Sequence, residues 1–352
     1  MAICDHRELL EKLHDEKEIC REEWRTLLTA LDEEEKEVLR SMAAETSAKH
    51  FGKGVYIRGL IEISSYCRNN CFYCGLRRSN VSAQRYRLTK EEILECCANG
   101  SKLGFNTFVL QGGEDVMQND LWITDVISAI HSEYPEKAIT LSVGERSAEA
   151  YHAFRKAGAE RYLLRHETRN EEHYAMLHPS AMIAANRREC LKVLKQEGYQ
   201  TGTGMMVGSP EQTTEYLIDD LLYIEELKPE MIGIGPFIPA SGTPLAQYSA
   251  GSIETTLLLI SLLRLRFPNA LIPATTALAT LHPDGRKRAI LAGANVVMPN
   301  LSPTSVRNKY SIYNNKACTG NESAEDINKL EDELSAIGYH INYSRGDYNE
   351  IK

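Results

Sequence analysis

From residue 55 onward, short β-branched and apolar runs alternate with longer stretches in which apolar positions recur at helical spacing. The first pattern marks buried strands and the second amphipathic helices. Strands are predicted at 55–63, 106–110, 138–143, 161–166, 203–207, 231–234, 271–274 and 295–298. Helices are predicted at 90–103, 122–132, 148–157, 185–197, 214–227, 253–265 and 283–292, the first opened by a capping-box pattern, Thr89 with Glu92. Eight strand–helix units in series favour an α/β chain closed into a complete (β/α)8 TIM barrel over an open doubly wound sheet.

Ahead of the barrel, residues 1–50 are dense in Glu, Lys and Leu. Leu9, Leu10 and Leu13, then Trp24, Leu27, Leu28 and Leu31, fall at helical spacing and predict an N-terminal helical cap. The organisation expected is cap 1–50, barrel 51–320, and a C-terminal helix and tail 321–352, whose last ten or so residues are expected to fray.

Composition narrows the function classes. With 43% hydrophobic residues in 352, there is ample material for one large core. A formal net charge of −9 weighs against nucleic acid or an anionic membrane as partner. No apolar run approaches the roughly 20 residues of a membrane span, and the N-terminus is charged where a signal peptide is apolar, so the expected location is the cytoplasm. Nine cysteines in a reducing compartment suggest metal ligation rather than disulfides.

Three of these cysteines, Cys67, Cys71 and Cys74, lie within YCRNNCFYCG, directly after the first predicted strand, where barrel enzymes keep active-site loops. Thiolates are the soft ligands of iron–sulfur clusters, and three around four irons leave one iron with a vacant site. A zinc knuckle would need a fourth ligand at finger spacing, and the next cysteines, Cys96 and Cys97, fall on a predicted helix. Other residues collect at strand ends. Gly112, Gly113 and Glu114 follow strand two, where the glycines would let backbone approach a ligand. Arg165 and Glu167, two apart on strand four, share a face towards the barrel mouth, as a binding pair or as a structural ion pair. Thr275 and Thr276 close strand seven, as anion ligands or simple caps. Cys4, Cys20, Cys96, Cys97 and Cys190 fall on predicted helices and read as small apolar packing residues.

The triad, with Tyr73 before its last cysteine, resembles the radical S-adenosylmethionine (SAM) superfamily. The longer blocks YIRGLIEISSYCRNNCFYCGLRRSN, RYRLTKEEI, FVLQGGED, RHET, GIGPFIPASGTPL, IPATTA and ANVVMPNLSP are similar to the HydE family, maturases of FeFe-hydrogenase assembly. The resemblance implies a radical SAM barrel carrying one 4Fe-4S cluster on Cys67, Cys71 and Cys74. It implies SAM held by Tyr73, Gly112, Gly113, Glu114, Ser142, Glu167 and Arg187, and cleaved reductively to a 5′-deoxyadenosyl radical.

It further implies a small, anionic, sulfur-ligated organometallic substrate, a cysteine-bound iron with carbon monoxide and cyanide. That substrate would be received by Arg58, Gln111, Arg165, Thr275, Thr276, Met298, Tyr310 and Tyr313. Partner maturases and a flavodoxin- or ferredoxin-type electron donor are implied, with no nucleic acid and no membrane. Some family members hold a second cluster on a C-x7-C-x2-C set near the C-terminus. Here only Cys318 stands there, so no second cluster is expected. Two alternatives stay open: a related radical SAM enzyme, either a methylornithine-synthase-like mutase or a biotin-synthase-like sulfur inserter, and a non-catalytic iron–sulfur carrier.

Overall fold

The computed structural model describes residues 6–15, 18–317 and 322–349. It opens with helices α1 (His6–His14), α2 (Arg21–Thr29) and α3 (Glu33–Phe51). Leu9, Leu10, Leu13, Trp24 and Leu27 are buried, as their spacing requires. The barrel follows, in chain order, as β1 (Gly54–Ile57), β2 (Gly59–Ser64), α4 (Lys90–Lys102), β3 (Thr107–Gly112), α5 (Asp120–Glu133), β4 (Ala138–Ser142), α6 (Ala148–Ala157) and β5 (Ala159–Leu163). It continues with α7 (Glu171–Leu177), α8 (Ala184–Gln196), β6 (Gln200–Thr203), β7 (Met206–Val207), α9 (Thr214–Leu227), β8 (Met231–Ile232), β9 (Gly235–Pro236), α10 (Ile253–Arg266), α11 (Thr276–Leu281), α12 (Gly285–Leu291) and β10 (Val296–Val297). The chain ends with α13 (Thr304–Arg307), α14 (Ile327–Ser335) and β11 (His340–Asn342). The N-terminal helices pack on the outer ring, α3 against α10 and α12 and α2 against α9.

Every paired strand is parallel. The run β2-β3-β4-β5-β6-β8 forms one sheet, and β10 pairs with β1. The predicted seventh strand is only two isolated bridges, Met231 with Leu271 and Pro273 with Val296. Those bridges carry the ring round, because Ile232 N–H donates to the Leu271 carbonyl at 3.0 Å and Ala274 N–H to that of Val296 at 2.9 Å. The circle is thereby completed through β10 and β1. All six residues of β2 are buried, the condition of a parallel strand with helices outside and a filled lumen inside. The Thr89–Glu92 capping box forms at the start of α4, as predicted.

The tail departs from expectation. Far from fraying, residues 343–348 fold under the amino-terminal end of the barrel and close it. Strand β11 adds to β1 on the side opposite β10. Beyond it the Arg345 carbonyl accepts from Thr107 Oγ1 at 2.8 Å, Asp347 accepts from Arg161 at 2.7 Å, and Tyr348 N–H donates to Gln200 at 3.0 Å. The sequence looked loosely patterned because this tail is held by polar bonds rather than an apolar stripe. One cysteine also differs: Cys20 is no packing residue but stands exposed at the N-cap of α2. Cys96 and Cys97 are buried on α4 as expected, while Cys4 and Cys318 lie outside the described residues.

Candidate active site

The triad loop leaves β2 at the carboxyl end of the barrel and is pinned from all sides. Arg68 N–H donates to the Glu114 carbonyl, Phe72 N–H to that of Leu177, Gly75 N–H to that of Ile312 and Arg78 N–H to that of Asn69, at 2.8–2.9 Å. Arg85 threads beneath, bonding the carbonyls of Ser65, Leu76 and Arg77. Gly113 serves this packing: a Cβ there would stand 2.3 Å from the Tyr66 carbonyl oxygen and 2.7 Å from Cys67 Cβ. Its missing side chain makes room for the triad loop itself.

Cys67, Cys71 and Cys74 are all free thiols. Burial pushes each of them up, Cys74 to about 12, so without a metal they would stay protonated near neutrality. Metal coordination is what deprotonates such a thiol outright. Among the described residues, no three His, Cys, Asp or Glu side chains converge on a single ion. Three soft thiols on one loop fit an iron–sulfur cluster, in which each thiolate takes a separate iron.

Around the loop stand the residues expected to hold SAM. The Tyr73 hydroxyl is 3.3 Å from His178 Nε2, ring edge to face. Burial, then the nearby Arg187 charge, pushes His178 down to about 3 and keeps it neutral. Glu114 is buried, with one oxygen on Arg68 at 2.8 Å and the other accepting Glu145 N–H at 3.0 Å. Arg187, in the first turn of α8, donates to Glu145 at 2.8 Å and to the Arg165 carbonyl at 3.1 Å. Burial opposes its charge, but Tyr174, Tyr73, Glu145 and Glu167 hold the guanidinium above its usual range. Ser142 ends β4, paired in register with Gln111.

Below them lies the lumen. Arg165 Nη2 and Glu167 Oε2 stand 3.2 Å apart but without hydrogen-bond alignment, and both atoms are otherwise buried without a partner. Glu167 adopts φ of 67°, left-handed backbone that a non-glycine residue rarely takes, held by its N–H on the Gly204 carbonyl. The two threonines divide. Thr275 Oγ1 is buried and unpartnered, whereas Thr276 donates to Glu322 at 2.8 Å. Tyr310 is buried with Gln111 nearby, and Tyr313 has Thr280 nearby, with the Glu62 and Arg165 charges in range; burial pushes both phenols up.

At the floor, Arg58 and Met298 line a narrow cavity of about 30 Å³. Arg58 is buried, touches Met231 Sδ at 3.0 Å and the Gly346 carbonyl at 3.4 Å, and leaves Nε unpaired. Burial, then Arg161, lowers its pKa well below the guanidinium range. Buried donors and acceptors left open in this way are the usual sign of a site awaiting a polar ligand. A larger external groove of 670 Å³ lies between Arg21, Arg169 and Glu226 and includes none of the residues expected to hold cluster, SAM or substrate.

Five side chains were given no role by the sequence reading. Glu145 holds Arg187, and the rule that sites gather after barrel strands could have found it in the loop after β4. His178 and Met182, the latter 3.7 Å from Cys71 Sγ, come from the loop after α7 and carried no signal. His166 bonds Thr203 and Asp220, which also accepts Arg169 N–H, and so fixes the turn bearing Arg165 and Glu167. Glu62, wholly buried on β2, receives Lys316 at 2.6 Å and Asn300 at 2.9 Å, which ties the segment carrying Tyr310 and Tyr313 across the mouth.

Comparison with known proteins bears on this arrangement. The Radical SAM superfamily profile matches residues 61–224. The [FeFe] hydrogenase maturase subunit HydE of Thermotoga maritima is 45% identical over 314 residues, 89% of this chain and 88% of that protein. The crystal structure of methylornithine synthase (PylB) superposes with a TM-score of 0.83 at 29% identity, covering 95% of this chain and 97% of that one. The maturase HydG superposes equally well, TM-score 0.83, at 21% identity over 97% of this chain and 77% of that one, a likeness of fold.

Proposed function

Since this chain belongs to the radical SAM superfamily, in the family of the [FeFe] hydrogenase maturase subunit HydE, we propose that its lumen converts a cysteine-bound iron carrying carbon monoxide and cyanide into a precursor of the hydrogenase di-iron centre. The observation that carries this reading is a free-thiol triad at the mouth standing above the Arg165–Glu167 pair and the buried, unpartnered Thr275 hydroxyl. When bound, cluster and SAM together supply reductive cleavage to a 5′-deoxyadenosyl radical.

The protein's own work is positioning. Cys67, Cys71 and Cys74 hold the cluster. The Gly112–Gly113–Glu114 turn, Ser142, Glu167 and Tyr73 frame the SAM side, and Arg187 presents a charged fork to its carboxylate, which a point-charge lysine could not copy. Arg165, Thr275, Gln111, Tyr310 and Tyr313 form a polar wall for a small anion, with Met298 and Arg58 below. Tyr310 and Tyr313, on the segment tied down by Lys316, help to exclude water from a reactive radical.

The chain works with other maturases, and the donor we propose is a flavodoxin- or ferredoxin-type protein. We assign one cluster per chain, since Cys318 is the only cysteine after Cys190. We place the protein in the cytoplasm on its likeness to a hydrogenase maturase. Among the described residues no helix is long and apolar enough to cross a membrane.

Anaerobic reconstitution, then incubation with SAM, dithionite and the iron–carbonyl–cyanide–cysteine complex, tests the proposal. Expected are about four irons per chain, 5′-deoxyadenosine and methionine, and a new low-valent iron spectrum. Cleavage of SAM with no change in the iron complex would sink the substrate assignment. The likeness to methylornithine synthase supports a second reading, a mutase, in which methylornithine would be the product and the iron complex would be left unchanged. The carrier alternative requires an intact cluster transferred and no SAM cleaved.

A further inference from the structure

Reductive cleavage at a buried cluster needs an electron from outside, and the surface over the triad has a character of its own. Between residues 66 and 89 the chain carries five arginines, Arg68, Arg77, Arg78, Arg85 and Arg87, and no Asp, Glu or Lys. The whole chain is −9, so removing these five positive charges leaves −14 for the rest. Two of the five are ion-paired, but their acids lie underneath. In the Arg68–Glu114 pair the side chains are 57% and 7% exposed, and in Arg87–Asp115 they are 34% and 1% exposed. The guanidinium groups shown to solvent are those of Arg68, Arg78 and Arg87, while Arg85 turns inward onto backbone carbonyls.

Arg78 is exposed, its side chain has no partner among the described residues, and its N–H rests on the Asn69 carbonyl, between Cys67 and Cys71 in sequence. Apolar groups stand among the charges. Val81, three residues on, is 99% exposed, and Val116 and Met117 on the adjoining loop are each 67% exposed. Val116, Arg68 and Arg146 line one pocket of about 220 Å³ together with Glu114, Asp115 and Asp120, each of which is ion-paired to an arginine, Arg68, Arg87 and Arg146 in turn. Large apolar side chains left in water beside a cationic surface mark an interaction site rather than an inert one.

We propose that this arginine-rich face over the triad loop is the docking surface for an acidic one-electron carrier protein, which delivers the electron that SAM cleavage consumes. The proposal rests on the functional reading above and gives its electron donor a place. In the transfer the carrier is oxidised by one electron and the cluster reduced by one, with no bond made or broken at the interface. Charge complementarity chooses the occupant: a second copy of this chain is net negative but would meet the face with mixed charge, whereas an acidic carrier meets it with one sign. The exposed valines and methionine supply the dry contact that shortens the path to the cluster.

The test uses the cluster-loaded protein with a strongly acidic bacterial flavodoxin as probe, and a variant combining Arg78→Glu and Val81→Glu. Binding of the oxidised flavodoxin is measured by calorimetry, and cluster reduction by the reduced form is followed beside reduction by dithionite. The expected result is about a tenfold or greater loss of flavodoxin affinity and reduction rate in the variant at low salt, with dithionite reduction unchanged. Wild-type binding should also weaken as salt rises.

Unchanged flavodoxin binding in the variant, or salt-independent binding in the wild type, would overturn the proposal. Should the double variant fail to hold its cluster, Arg78→Gln alone serves, with a smaller loss expected and the same overturning outcomes. A wild-type protein that binds flavodoxin at this face yet never cleaves SAM would sink the reading of the site while upholding the surface.

Discussion

The two ends of the barrel use the same residue types to opposite effect. At the amino-terminal end Arg161, Arg345, Glu160 and Asp347 interlock, with Arg161 also on the Arg345 carbonyl at 3.0 Å. At the carboxyl end Arg165 and Glu167 meet only each other, at 3.2 Å, the Thr275 hydroxyl is buried without a partner, and three thiols stand free. Arg161 Nε at the closed end is also unpaired, yet its other nitrogens bond within the protein; at the open end a buried hydroxyl and three uncrosslinked thiols gather in one place, which suits a bound group. The closed end supplies stability and the open end chemistry, the division expected of this barrel class.

The sharpest way to break that comparison is at the triad. Cys74→Ser should abolish cluster assembly, with iron per chain falling to background and no 5′-deoxyadenosine formed, while thermal unfolding of the apoprotein stays close to wild type. An apoprotein that failed to fold would show that the open end also carries stability.

The closed end should respond in the other currency. Asp347→Asn leaves the buried Arg161 charge less well matched; breaking a fully buried pair costs about 3–5 kcal/mol, discounted here to about 2 because the Asp347 side chain is a third exposed. Urea unfolding at neutral pH measures it, and SAM cleavage should be little affected. Burial works against the Asp347 charge, but hydrogen bonds from Arg161 and Arg345 prevail and hold the carboxyl at about 2, against an ordinary 3.8. The folded protein thus binds this proton less tightly than the unfolded chain. Its contribution is present above the ordinary carboxylate range and lost as pH falls from about 4 to about 2. In Asp347→Asn that part of the acid sensitivity should vanish.

An intermediate effect is expected at Arg187. Arg187→Lys keeps the charge but not the fork that spans Glu145 and the Arg165 carbonyl. SAM affinity should fall about tenfold, or roughly 1.4 kcal/mol, by equilibrium binding to the reconstituted protein, with cluster content unchanged.

How much of this was legible beforehand depends on the range of the interaction. The barrel was readable because strand and helix periods are local, and the triad because its ligands lie within one loop. Strand seven was placed correctly but forms as bridges only, since Pro273 has no N–H to give a ladder. The plug of residues 343–348 was missed because its bonds reach back to Asn106, Thr107, Arg161 and Gln200, and nothing local encodes them. Lys316 and Glu62 lie 254 positions apart, beyond any periodicity. Gly113 was assigned to the right place for a different reason, since close approach of the triad loop, as well as any ligand, excludes its side chain.

The smallest effect divides two neighbours that sequence could not separate. Thr275 and Thr276 both stand at the start of α11, yet only Thr276 has spent its hydroxyl, on Glu322. Replacing Thr276 by valine removes one hydrogen bond and leaves Glu322 on Arg286, so a loss of about 0.5–1.5 kcal/mol in stability is expected, with the KM for the iron complex unmoved. Replacing Thr275 by valine takes away a buried hydroxyl that has no partner in the ligand-free protein. Stability should hold or rise slightly, while KM rises about threefold to tenfold if that hydroxyl meets substrate. Measuring urea unfolding and KM on both variants therefore reads the contrast of the two barrel ends within adjacent residues. Equal KM values for the two would place Thr275 with the structural groups and move the substrate wall towards Arg165 and Tyr313.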